Sequence, residues 1–389
     1  MSFLNVNQVS TAAGLPSFTT SNNAINFNGN IIGASSSATM KNRIINGDMR
    51  IDQRNNGSAV GTSVNGYSVD RWQIQQSTTG KLNGGQNYNS VTTPSGFTNY
   101  LGVQSQSAYS ISSTDYYTIN QRIEGYNIAD LGWGTSSAKT VTISFWVYSS
   151  LTGTFGGVLQ NYGYSWNYPF TYTINSSNTW QYITVTITPP TSGSWQTGNS
   201  QGVNVIFGLG VGSTYSGTPG IWTSSNVLSA TGATSVVAVN NATFYITGVQ
   251  FEVGSVATSF DYRDFSRELM MCQRYFEISY SQGTSIGTST AINRFSGFSA
   301  AYNSTTLNGT NEVPYKVVKR NSTNSITFYS GSGTINTWQW TTNGASGTNF
   351  TPSLNNYGDG GFEVSGSTSG ITTGNIYGVT GHWTSSAEL

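Results

Sequence analysis

Few side chains in this sequence can titrate or coordinate. Among 389 residues, Lys and Arg total 15, Asp and Glu total 15, and there is one His and one Cys. Glycoside hydrolysis needs two carboxylates set across the scissile bond, and acyl transfer needs a nucleophile with its base. Asp115 and Glu124 are the pair from which a glycosidase dyad could be built, although the sequence does not fix their separation. Asp70-Arg71 and Arg122-Ile-Glu124 read more simply as local charge pairs that orient loops. His382 lies in Gly-His-Trp-Thr with no Gly-x-Ser-x-Gly elbow to serve, so it is a poor catalytic base. Cys272 alone can form neither an intrachain disulfide nor a Cys-based zinc site, and its apolar setting reads as a small buried hydrophobe. Asp48, in Asn-Gly-Asp, and Glu252 could offer oxygen ligands to a structural calcium ion, although a turn is the simpler use of that tripeptide. No other cofactor is expected.

Stacking chemistry is far better supplied. The chain holds 10 Trp, 23 Tyr and 18 Phe, while charged residues make up 8% of it. Sugars present apolar faces ringed by hydroxyls, so a glycan site needs flat rings beside neutral hydrogen-bonding groups. Tyr162, Tyr164, Trp166 and Tyr168 alternate with polar residues in one short stretch, and Trp195 and Trp222 sit in polar loops. The period of two also suits the inward face of a single strand. Trp146 and Tyr148 are harder to assign to a core, because Val141, Ile143, Phe145 and Val147 already fill the other face of their strand. These eight aromatics are the glycan-binding candidates. They could line a concave sheet or meet another subunit.

The elements that must position them are strands. Val141 to Tyr148 and Tyr182 to Thr188 alternate cleanly, and Val203 to Phe207 and Thr243 to Thr247 follow between Gly/Ser/Thr/Asn loops. No crossover helices interrupt them, so an all-β antiparallel sandwich or jelly roll is expected over 43–263. Residues 1–42 are too poor in apolar side chains to fold alone and read as an attachment arm. No charge occurs from Thr140 through Phe251, whereas Asp261, Arg263, Asp264, Arg267, Glu268, Arg274 and Glu277 crowd together just beyond, marking a boundary. Over 264–279 the spacing of Phe265, Leu269, Cys272 and Phe276 predicts a short helix capped by Asp264 or Ser266, with a stripe that packs on the sandwich or faces copies of itself. A smaller β domain with a thin core, of a kind that often borrows from neighbouring subunits, is expected over 280–389. Zero net charge argues against nucleic acid and anionic lipid as main partners, and no apolar run is long enough to insert in a membrane.

Asn42-Arg-Ile-Ile-Asn-Gly-Asp-Met-Arg-Ile-Asp-Gln-Arg54 resembles the opening strand of jelly-roll carbohydrate-binding-like domains in bacteriophage tail fibres, notably those of marine and cyanobacterial phages. The likeness continues through Gly66-Tyr-Ser-Val-Asp-Arg-Trp72, Gln121-Arg-Ile-Glu124, Thr142-Ile-Ser-Phe-Trp-Val-Tyr148, Thr179-Trp-Gln-Tyr182, Phe244-Tyr-Ile-Thr-Gly-Val-Gln-Phe-Glu-Val-Gly254 and Cys272-Gln-Arg-Tyr-Phe-Glu277 to the last residues. What the resemblance implies is a homotrimeric fibre or fibre tip in the virion. Its N-terminal segment, residues 1–42, would join phage tail or baseplate proteins, and its distal domains would contact a host cell-surface polysaccharide without catalysis. The alternatives left open are a purely structural tail or collar fibre component and a polysaccharide depolymerase.

Overall fold

The computed structural model describes residues 40–389 apart from 61–64, 311 and 343–346. It also describes the backbone of four short strands near the start, Gln8–Ser10, Pro16–Ser21, Ala24–Phe27 and Asn30–Ile32. These four pair antiparallel in chain order and belong to a unit of their own, Met1–Lys41. The rest of the expected arm up to residue 39 lies outside the described residues. Asn42–Leu389 forms the second unit.

Two antiparallel sheets make a sandwich, as the alternation predicts. The five-stranded sheet runs Gln181–Ile187, Val141–Ser149, Thr243–Val253, Leu101–Ser105, Leu82–Gln86. The six-stranded sheet runs Asn167–Ile174, Gly153–Asn161, Gln201–Val211, Tyr116–Glu124, Trp72–Gln76, Gly66–Val69. Val141, Ile143, Phe145 and Val147 point inward and meet Phe155, Phe170, Tyr172 and Phe207 from the facing sheet in one buried core. A register shift between Ser144 and Trp146 opposite Gly248, whose φ is +61°, bulges the sheet beside Trp146. A side chain at Gly248 would strike Phe97 and Trp146, so this bulge needs glycine.

The opening motif is not a strand. Asn46 and Met49 have left-handed backbones, with φ of 57° and 59°, which breaks any extended run. Side-chain amides take over the pairing instead. Asn42 accepts from the Ile44 and Phe251 N–H groups and donates to the Val249 carbonyl, while Asn46 accepts from Ile51 N–H and donates to the Ile51 and Asp70 carbonyls. Gln121 clasps Ile45 through both its N–H and its carbonyl. A buried irregular segment is thereby satisfied without a ladder.

The expected helix is Phe265–Gln273, and Asp264 caps it by accepting from Arg267 N–H at 2.9 Å. Its stripe splits: Cys272 and Phe276 are buried within the chain, Leu269 is half-buried and Phe265 is 46% exposed. Phe276–Ile278, placed by sequence with the connector, is already a strand of the C-terminal sheet. That sheet closes. Ile376–Ser386 pairs with Phe295–Asn303, and the path continues through Thr306–Thr310, Gly361–Ser367, Thr348–Tyr357 and Trp338–Thr341 back to Ile376–Ser386. The barrel encloses its own core, with Trp338, Phe350, Phe362, Tyr377 and Trp383 among the buried rings, so it does not depend on borrowed side chains to fill its interior. Among the described residues no helix is long and apolar enough to cross a membrane.

Several buried ion pairs lie where the sandwich, the helix and the barrel meet. Glu388 is held by Arg54 at 2.8 Å and by Arg71, whose side chain is 1% exposed. Arg274 meets Glu124 through two bonds of 2.6 and 2.9 Å, and Tyr275 donates its hydroxyl to the same carboxylate. Lys319 and Glu277, both fully buried, pair at 2.5 Å. Arg71 and Arg54 also lie over the rings of Tyr275 and Phe276. Asp70-Arg71 and Arg122-Ile-Glu124 are therefore not local pairs. Each side chain reaches a different partner, with Arg122 donating to the Leu389 backbone oxygen and Asp70 accepting from Gln53.

Removing one partner from a buried pair leaves an uncompensated charge, so Glu388→Ala should cost about 3 kcal/mol or more in a urea titration. A loss below ~1 kcal/mol would show that the joint does not hold the two β units together. Burial also pushes the Asp70 and Asp48 carboxyls up to about 6. Between about pH 4 and pH 6 the folded chain then binds more protons than the unfolded chain, so these groups make stability fall as pH rises through that window. Burial lowers the His382 pKa and acts in the opposite sense, removing stability as pH falls below the ordinary histidine range. Asp70→Asn should flatten the carboxylate part of this dependence, read as the shift in urea midpoint between acidic and neutral buffer. An unaltered shift would mean that Asp70 titrates like an exposed aspartate.

Candidate functional site

The eight aromatic candidates divide into two groups. Trp166, Tyr168, Trp195 and Trp222 gather at one end of the sandwich, with Tyr162 and Tyr164 on the connection between Gly153–Asn161 and Asn167–Ile174. Trp146 and Tyr148 lie on the outer face of the five-stranded sheet. Tyr182, the cross-strand neighbour of Trp146, stands about 20 Å along the edge strand from Thr188, whose carbonyl accepts from the Trp222 indole.

At the sandwich end the rings are tiled edge to face. Trp133 meets Trp195 at 4.8 Å and Trp222 at 5.7 Å, and Trp222 also meets Tyr168 at 5.1 Å. Indole N–H groups pin the surrounding loops, Trp222 donating to Thr188, Trp133 to Lys139 and Trp195 to Ser192. Tyr168 follows the strand alternation into the core with Phe170 and Tyr172 and is unavailable to a ligand. Trp166, Trp195 and Trp222 are half-buried, so part of each remains at the surface.

Tyr162 and Tyr164 are different, being 57% and 48% exposed. Tyr164 has φ +62°, a left-handed backbone that a bulky residue rarely adopts. A neutral amide network holds it there. Fully buried Asn161 donates to Ser194 O and accepts from Trp166 N–H; Asn167 donates to the carbonyls of Tyr164 and Ser225; Gln160 donates to the side-chain oxygens of Asn167 and Asn226. Gly193, with φ +96°, passes so close to the Trp166 indole that a Cβ would overlap it. The result is a tip that presents two tyrosine rings beside half-buried indoles, among amide and hydroxyl groups and without charge.

The other group is sheltered. Tyr148 stacks on Tyr245 at 5.2 Å and packs against Trp180 at 5.5 Å. Three bonds then draw the 87–99 loop over these rings: Asn89 donates to the Tyr245 hydroxyl, Trp180 to the Thr92 carbonyl and Val91 N–H to the Tyr100 hydroxyl. Trp146 is half-buried against Tyr182, which is 45% exposed.

Candidate chemistry elsewhere is occupied. Asp115 and Glu124 flank the strand Tyr116–Glu124, which places them about 30 Å apart, well beyond the ~5–9.5 Å of a glycosidase pair. Glu124 is also taken by Arg274 and Tyr275. His382 Nδ1 lies 3.0 Å from Ser279 Oγ, but both residues are buried and His382 Nε2 is tied to the Thr290 carbonyl. Stacking on Tyr280 at 4.0 Å completes a structural setting for this histidine. Asp48 is paired with Arg50, and Glu252 accepts from Gln250 and from Thr258 N–H and Oγ1, so neither carboxylate is left to a calcium ion. Among the described residues no three His, Cys, Asp or Glu side chains form a group that could hold a metal. Cys272 is buried, as its apolar setting predicts.

Sequence reasoning missed Trp133, the keystone of the end cluster, and the amides Gln160, Asn161, Asn167 and Asn226. The signal for the amides was available as amide side chains at both strand ends flanking the aromatic run.

No protein-family model matches the chain, and no curated protein matches it. Solved structures overlap parts of it. A carbohydrate-binding module described as CBM4 aligns at 18% identity over 54% of this chain and 98% of its own, with a TM-score of 0.28. A family 11 carbohydrate-binding module from Clostridium thermocellum, in complex with a mixed-linked tetrasaccharide, aligns at 10% identity over 50% of this chain and 99% of its own, with a TM-score of 0.26. The enzymatically active domain of bacteriophage CBA120 tailspike protein 4 aligns at 12% identity over 55% of this chain and 21% of its own, with a TM-score of 0.28. Scores this low carry no weight for fold or function, which rest on the chain's own geometry.

Two outcomes are expected. Tyr164→Asn should relieve the left-handed strain and stabilise the fold by up to about 1 kcal/mol, since Asn tolerates that backbone; a loss of stability would show that the ring itself supports the tip. A chelator should leave the melting temperature unchanged, whereas a drop of several degrees would reveal a bound metal.

Proposed function

We propose that this chain is a non-catalytic recognition protein of a bacteriophage tail fibre that binds a neutral host-surface glycan through the 161–166 tip. In this reading it is a homotrimer of the virion, joined to tail or baseplate proteins through residues 1–42. The observation that carries glycan recognition is Tyr164, a bulky ring kept exposed in a strained backbone by buried amides, beside Tyr162, Trp166 and Trp195. Strain of this kind persists where the surroundings over-determine it, and binding surfaces are where it concentrates. The fibre setting rests on the ordered motif series from Asn42 onward. Repetition of the tip around a trimer would turn weak single sites into useful avidity.

A purely structural role is favoured for one group only, Tyr148, Tyr245, Tyr100 and Trp180, because a loop is bonded over those rings. The ~30 Å between Asp115 and Glu124 along their strand supports a reading without that dyad.

Tyr162→Ala and Tyr164→Ala should each weaken retention on host polysaccharide about tenfold, the equivalent of one lost stacking contact of ~1.4 kcal/mol. Tyr148→Ala should leave retention unchanged. Wild-type protein that neither attaches to host cells nor competes with phage adsorption would overturn the proposal, as would reducing sugar released from that polysaccharide for its non-catalytic part.

A further inference from the structure

The chain's one histidine closes a relay that ends on a loop. His382 is fully buried in the last strand, and its two ring nitrogens have opposite roles. A carbonyl oxygen can only accept, so Nε2, 3.1 Å from the Thr290 carbonyl, carries the ring proton. Nδ1 of the neutral ring is then an acceptor, and Ser279 Oγ, 3.0 Å away, donates to it. The same Ser279 oxygen accepts from Trp383 N–H at 3.0 Å. One protonation state of the imidazole satisfies every group in this relay.

Thr290 belongs to the 281–294 segment, which runs from Phe276–Ile278 to Phe295–Asn303 without a helix or strand of its own. Thr290 N–H donates to the Gly331 carbonyl at 3.0 Å. The segment's side-chain ties lie at the surface, with Asn293 donating to Ser281 Oγ and Asn56 of the sandwich donating to the Gly283 carbonyl. Ile286 is its apolar anchor, half-buried on the cluster that holds Ile278, Tyr280 and Tyr329. By contrast Ile376–Ser386, the strand that carries His382, is paired on both sides.

We propose that His382 is an acid-operated latch for this strap, and that a second proton on its ring releases residues 284–293 from the barrel. A proton added at Nδ1 turns that nitrogen into a donor. Ser279 Oγ then faces two donors, Nδ1–H and Trp383 N–H, while its own hydroxyl proton loses its acceptor. The surroundings do not compensate. The titratable and charged groups that face the ring are Tyr280, stacked on it at 4.0 Å, Tyr329, its cross-strand partner, and Arg294 at the end of the strap, and no carboxylate is among them. Burial foremost, and then the Arg294 charge, hold the imidazole below its ordinary range; the Thr290 bond favours the cation and is outweighed. Lifting the strap lets water reach the ring and solvate the charge. Between the ordinary value of 6.5 and the lower value of the closed state, opening takes up one proton, so the opening constant grows about tenfold for each unit that pH falls. What acid uncovers is the apolar face of Ile278, Tyr280 and Tyr329 beneath Ile286.

None of this depends on the tyrosine tip or on assembly. Deuterium exchange of the full chain, read by mass spectrometry, follows both the single histidine ring through its C2–H and the amides of 284–293. The ring should titrate below 6.5. Protection of 284–293, corrected for intrinsic rates, should fall about tenfold per pH unit toward that titration, while Val141–Ser149 stays protected. A ring that titrates at 6.5 or above would overturn the latch, as would strap protection that ignores pH. Simultaneous loss across Phe295–Asn303 and Ile376–Ser386 would overturn it too, since the barrel rather than the strap would be opening. His382→Gln keeps an N–H for the Thr290 carbonyl and does not titrate in this range. It should abolish the pH dependence with the strap still protected, and a folded variant that retains the dependence would sink the proposal. If that variant does not fold, the wild-type profile decides alone.

Discussion

How the sandwich meets the C-terminal half of the 42–389 unit is constrained by ion pairs largely removed from water. A chain with 8% charged residues has little to place: Glu388 on Arg54 and Arg71 and Arg274 on Glu124 tie the sandwich to the C-terminal half, while Lys319 on Glu277 and Arg263 on Glu268 fasten the ends of the helix. Such pairs add little net stability over an apolar contact, yet they are intolerant of mismatch, because a lone buried charge is far costlier than a lone methyl. Registry between the two β units therefore follows from charge, while each unit is filled by its own apolar core. The helix serves the same end. Its Glu268 reaches Arg263 and the backbone of Asn46, so it fastens the irregular opening segment to the joint.

With charge drawn inward, the outside is left to hydroxyls, amides and rings. Amides also do the internal work that strands do elsewhere, from Asn42, Asn46 and Gln121 along the opening segment to Asn161 and Asn167 beneath the tip. A surface built this way meets a neutral ligand without a competing salt effect, and its selectivity depends on shape and hydrogen-bond placement rather than on field.

Periodicity carried the sandwich. Val141 to Tyr148 and Tyr182 to Thr188 alternate so plainly that face and strand could be read from them. What resisted reading was everything set by distant partners. Asp70-Arg71 looked local because adjacent residues invite that reading, yet Arg71 answers to Glu388 from the far end of the chain. Asn42 to Arg54 resembles an opening strand, but two left-handed residues and the side-chain amides replace the ladder there. The tip was legible in composition and not in conformation: Tyr168 and Tyr164 are equivalent in the alternating pattern, and only the backbone turn at Tyr164 sends one ring outward while the other joins the core. Barrel closure was invisible, since a closed ring requires knowing that Ile376–Ser386 pairs with strands on both sides.

That final strand has a consequence for how the molecule is made. Its first half completes the barrel wall, its second half pairs with Phe276–Ile278 and Ser325–Tyr329, and Glu388 follows it directly into the joint. All these partners leave the ribosome before it does. Until residues 376–388 are synthesised the barrel is an open sheet with unpaired edges, and Arg54 and Arg71 wait without their carboxylate. The sandwich can mature early while the C-terminal half stays adhesive, so nascent chains brought close together on one message would meet at the stage when their barrels are least able to refuse a neighbour.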